Sequence, residues 1–84
     1  MMEIIKNIEG QLRKDFNLSS LKIIDNTHLH KEHKNFQKNK LHLKIILKSD
    51  RLKKLGTINA NRKIFFSLRE YIKKYIHSLQ IKIE

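Results

Sequence analysis

Apolar positions recur along this chain first at helical intervals and then in alternation, and each pattern predicts an element. Ile4, Ile5, Ile8, Leu12 and Phe16 return every three or four residues, with Lys6, Asn7, Glu9, Arg13 and Lys14 on the opposite side. This spacing predicts an amphipathic helix with one buried stripe. Asn17, Ser19 and Ser20 interrupt it, and Leu21 to Asp25, rich in β-branched residues, predicts a short strand. Residues 27–39 carry almost nothing apolar and predict a polar loop, with 28–40 poorly ordered in the free protein. Such a loop exceeds the roughly two to five residues of an ordinary hairpin connection. Leu41, Leu43, Ile45 and Leu47 then alternate with His42, Lys44, Ile46 and Lys48. Period two with a charged outer row predicts a strand in a sheet covered on one side only.

Ser49, Asp50 and Arg51 punctuate the chain, Leu52 to Leu55 predicts one helical turn, and Gly56 ends it. Thr57 is placed to cap a longer helix running to about Lys74, with an apolar stripe of Ile64, Phe65, Leu68, Ile72 and Tyr75. A last strand presents His77, Leu79, Ile81 and Ile83 on one face, and Ser78, Gln80 and Lys82 on the other. The expected fold is α+β in the order αββααβ. It is a three-stranded mixed sheet with all helices on one face and the last strand parallel to the second.

Length and composition narrow the possibilities. Residues 1–84, 39% of them hydrophobic, suffice for one small domain with a thin core. Cysteine is absent, which excludes disulfides, thiol catalysis and cysteine-based zinc sites. No apolar run exceeds three residues and the N-terminus has no signal-peptide pattern, so a cytoplasmic protein, monomeric when free and without membrane contact, is expected. The net charge of +11 suggests contact with a polyanion, nucleic acid first. Residues 31–63 concentrate that charge, setting eleven basic side chains against Glu32 and Asp50. A composition heavy in Lys (15), Ile (13) and Asn (7) accounts for part of it as a solvated surface.

Candidate chemistry centres on histidine. His28, His30, His33 and His42 fall close together, and the predicted loop holding most of them is either a solvated segment or a donor of metal ligands. The run from Thr27 to His33 resembles locally the zinc-binding stretch of metallo-β-lactamase-fold hydrolases, but this chain is too small to supply their remaining ligands. Alternation places His77 at the rim of the apolar face, where a lone imidazole is usually structural. Two glycines cannot build a phosphate-cradling loop, and the carboxylates are scattered, so no enzyme is expected. The element order is that of the type II KH-like fold, whose nucleic-acid clamp is a GXXG loop. Its equivalent here, Lys53-Lys54-Leu55-Gly56, retains one glycine. A nucleic-acid-binding transcriptional regulator using Lys53, Lys54, Arg62 and Lys63 on this KH-like or helix-turn-helix surface is therefore one functional reading.

From Ile4 to Ile83 the chain resembles the BolA family, in its bacterial, histidine-loop form. Asp25-Asn26-Thr27-His28-Leu29-His30 is similar to the family's acidic, polar, Ser/Thr stretch ending in a loop histidine. His42 to Leu52 resembles its second strand and Ser-Asp-Arg-Phe turn, and Arg62 falls on the last arginine of an Arg-His-Arg motif. Ile76-His77-Ser78-Leu79 resembles the Val-His-Ala-Leu signature. The loop after His30 lacks the family's Pro-Ala-Gly, and Ala60 and Asn61 replace the first two motif residues. The resemblance implies a non-enzymatic partner of monothiol glutaredoxins, sharing a two-iron two-sulfur cluster held jointly with glutathione for iron–sulfur trafficking or sensing. It carries His77 to the invariant ligand position and His30 to the loop position, with His28 and His33 as alternative loop ligands. The isolated protein is then expected to hold no cluster.

Overall fold

The computed structural model describes residues 2–27 and 40–84. The expected order appears, with the second helical region divided: α1 (Met2–Asp15), β1 (Ser20–Asp25), β2 (Leu41–Lys48), α2 (Asp50–Leu55), α3 (Thr57–Ser67), α4 (Arg69–Lys74) and β3 (Ile76–Ile83). The expected disorder of 28–40 concerns residues that, except for Lys40, lie outside the described ones. Among the described residues no helix is long and apolar enough to cross a membrane.

β2 is the central strand, antiparallel to β1 and parallel to β3. Its alternation does what the sequence predicts. Leu41, Leu43, Ile45 and Leu47 are all buried against Ile8 and Leu12 of α1, Ala60 and Ile64 of α3, and Leu68. The opposite row of the sheet carries Lys22, Lys44, Lys48 and Lys82, in register with Ile24, Ile46 and Gln80. An antiparallel pair joined to a parallel one puts helices over a single face, because the crossover from β2 to β3 must pass there.

Three local expectations are corrected. α2 begins at Asp50 rather than Leu52, because the Ser49 hydroxyl accepts from the Leu52 amide and caps the helix. Gly56, not Thr57, stands at the start of α3, and its φ of 86° turns the chain between the two helices. The helix expected to run to Lys74 breaks at Leu68 (φ −99°, ψ 13°) into α3 and α4. The break directs Leu68 fully into the core while Phe65 and Tyr75, assigned to the apolar stripe, are 40% and 37% exposed. Ala60 takes the buried place instead.

Candidate metal-ligand site at the paired histidines

The start of β2 and the entry to β3 are tied together by short bonds. The Leu41 amide donates to Tyr75 O at 2.7 Å. The Lys40 ammonium donates to the carbonyls of Lys73 and Lys74 at 3.3 and 3.1 Å, satisfying the carbonyl end of α4. On the β1 side, Asn26 N donates to His42 O at 2.7 Å, and the His42 amide donates to Thr27 Oγ1 at 3.1 Å. Thr27 is held in turn by the Asp25 carboxylate, which accepts from both its amide and its hydroxyl. The chain therefore leaves β1 and enters β2 at one pinned corner.

A register shift then places His77. Leu41 pairs with Ile76 but His42 pairs with Ser78, so His77 is the extra residue of a bulge. Ile76 is buried, and alternation resumes with Leu79, Ile81 and Ile83 packed against the core. Strict alternation assigned the His77 ring to the helix-covered side; the bulge removes it from that row and leaves it exposed. Its ring lies 5.0 Å from that of His42, centroid to centroid, with the planes tilted by 58°. His42 is only 7% exposed, and its Nδ1 lies 2.9 Å from the Ser78 hydroxyl.

This pairing joins a histidine that the sequence singles out, His77, with one it groups merely among its neighbours, His42. The parallel register makes them adjacent, and no spacing rule encodes it. The implied loop ligands His28, His30 and His33 lie outside the described residues. Among the described residues no group of three or more metal-binding side chains is assembled.

The four cations of the nucleic-acid reading lie on α2 and α3. Lys54 lines a hollow with Asp50, Arg51 and Asn17, whereas Arg62 and Lys63 line another with Asp15 and Phe66. Lys53 is exposed on α2.

A family profile described as BolA-like protein matches residues 12–84. The chain belongs to the BolA-like family. Solved BolA structures agree in fold. The BolA domain of SufE1 from Arabidopsis thaliana is 22% identical, with 94% of this chain and 87% of that one covered and a TM-score of 0.80. BolA1 from Arabidopsis thaliana is 19% identical, with 93% and 86% covered and a TM-score of 0.78. A Bol-like protein from Babesia bovis is 17% identical, with 90% and 77% covered and a TM-score of 0.70. Comparison with curated protein sequences gives no match. Within this BolA-like fold the histidine pair occupies the end of the sheet where β2 and β3 both begin.

Proposed function

We propose that this BolA-like chain is a non-enzymatic partner of a monothiol glutaredoxin and shares a two-iron two-sulfur cluster with it through imidazole ligands. The observation that carries the reading is the His42–His77 pair. Two imidazoles on one tetrahedral metal, with metal–nitrogen bonds of about 2.0–2.1 Å, have ring centroids roughly 5 Å apart. The 5.0 Å separation fits that requirement. The donor set fits as well, since paired imidazoles hold one iron of a cluster in Rieske centres and raise its potential. A chain without cysteine has no thiolate to offer, so the glutaredoxin cysteine and glutathione would be the thiolate ligands of the other iron.

Each residue of the corner has a part in this reading. His77, exposed on its bulge, is the ligand a partner reaches first. His42 is held by Ser78 at Nδ1, which favours Nε2 as the ligating nitrogen. The segment with His28, His30 and His33 starts beside Thr27 and ends at Lys40, next to this pair, so His30 competes with His42 for the second position.

Mixing the protein with cluster-loaded monothiol glutaredoxin and glutathione tests the reading. A visible circular dichroism spectrum distinct from that of the glutaredoxin homodimer, and altered in His77→Ala, is the expected result. An unchanged spectrum on mixing overturns it.

A further inference from the structure

The open face of the sheet carries an arrangement that neither the core nor the histidine pair explains. Ile46, near the middle of β2, stands opposite Lys22 of β1 on one side and Lys82 of β3 on the other. Lys44 and Lys48 lie before and after it on its own strand and on the same face. With strands about 4.8 Å apart and about 6.7 Å between same-face residues, one aliphatic side chain is framed by four lysines in a cross. Ile46 and Lys44 are half-buried, and the other three lysines are exposed. Ile24, opposite Lys44, adds a second apolar position at one corner.

These cations are not neutralised by their neighbours. Among the described residues the one ion pair is Arg13 with Glu9 at 3.4 Å, on α1. Alternation turns Asp25 to the helix-covered side with Ile23, and Glu84, beyond the end of β3, only borders the open face. Like charges on neighbouring strands oppose sheet formation, so this face carries a standing cost that an anionic partner relieves.

We propose that this face docks an acidic amphipathic helix of another protein, with one large apolar residue seated on Ile46 and carboxylates on the four lysines. An apolar centre within a charged rim is the layout of a protein–protein contact. A helix supplies the matching ring from a single sequence pattern. Residues three and four positions before and after a given residue surround it at about 5–6 Å. Leucine or phenylalanine with Glu or Asp at those positions therefore meets the cross point for point. Laid on the bare side, such a helix completes a helix–sheet–helix stack. Other occupants match less. A second copy of this chain brings a net charge of +11 to a cationic face, and segment 28–39 adds three lysines against Glu32. None of the three strands contains Phe, Tyr or Trp, so a nucleic acid has no such ring on which to stack a base. A lipid surface cannot draw on Ile46, which is shorter than the lysines around it.

The test is an amide NMR titration of the protein with a short helical peptide. The peptide has one leucine, glutamates three and four residues to either side, and alanine and glutamine elsewhere. Saturable shifts centred on Lys44 to Lys48 are expected, and binding weakens as salt is raised. Ile46→Ala weakens binding by about tenfold, the scale of an interface anchor, while Ile46→Val retains most of it. Lys22→Gln/Lys82→Gln weakens it by about two- to fivefold per lost pair, the range for exposed ion pairs. Both lysines are exposed, so this variant keeps its fold, which far-ultraviolet circular dichroism verifies. His77→Ala binds the peptide like the parent, so the outcome is independent of the cluster reading. Equal affinity for a peptide with glutamine in place of leucine overturns the proposal, because the face then reads charge alone. Binding unchanged in the lysine double variant overturns it even if Ile46→Ala fails to fold. Ile46-dependent binding of phosphatidylserine vesicles or duplex DNA assigns the face to another partner and overturns it too.

Discussion

The Leu41 amide donates to the Tyr75 carbonyl at 2.7 Å, and this bond brings the beginnings of two parallel strands to one level. One residue further along, the strands fall out of step, and the unmatched residue is His77. The proposed ligand thus owes its exposure to a backbone irregularity directly beside a tightly bonded junction.

His77→Ala is expected to fold like the parent, because the ring is exposed and the buried neighbours Ile76 and Leu41 are untouched. Its stability in urea should stay within about 0.5 kcal/mol of the parent, the usual range for a surface change. The cluster spectrum of its mixture with glutaredoxin should change. A purely structural histidine would give the opposite pair of results, a loss of stability with an unaltered spectrum.

Ser78→Ala removes the hydroxyl from His42 Nδ1 without touching the core. Long-range nitrogen–proton NMR of the isolated protein should show a change in the His42 tautomer balance. Cluster retention in the glutaredoxin complex should fall by about 10- to 100-fold, as expected when a ligand's orienting partner is lost. Retention equal to the parent would remove His42 from the ligand set and leave the second position to the loop.

Ser49→Ala deletes the cap of α2, leaving the Leu52 amide without its acceptor at a position only 2% exposed. A loss of about 1–2 kcal/mol is expected, at the upper part of the range for exposed caps. Chemical denaturation measures it, and Ser49→Asp should recover part of it.

Asp15 gives a pH-dependent outcome. The Ser67 hydroxyl, and then the Gln11 amide, hold its carboxyl below the ordinary value of 3.8, with smaller help from Lys14 and Arg69 against slight desolvation. A carboxyl depressed in the folded state stabilises the fold above its unfolded pKa, and that contribution vanishes as pH falls through the folded value. In Ser67→Ala the Asp15 titration followed by carboxyl NMR should move up toward 3.8. The stability difference between parent and variant should shrink as the solution is acidified.

What the sequence reveals depends on whether a feature is periodic. The alternation of Leu41 to Leu47 and the helical spacing of Ile8 and Leu12 are periodic, and these residues form the core as expected. The break at Leu68 is invisible because Ile64, Leu68 and Ile72 continue the helical interval with no glycine or proline between them. Period two likewise assigns His77 a face with complete consistency and is defeated by one inserted residue. The cap at Ser49 and the brace of Arg69 on Phe66 depend on side-chain geometry rather than pattern. His42 stands in the charged row of β2, and only the register with β3 makes it a neighbour of His77.

The parallel pairing of β2 with β3 also has a consequence for timing. One imidazole belongs to the central strand, and the other arrives only with β3, the strand that follows α4. A ribosome-bound chain that has emerged only through α4 carries His42 but cannot yet assemble the pair. The corner is thus a completion mark: its two rings come together only after β3 has docked beside β2.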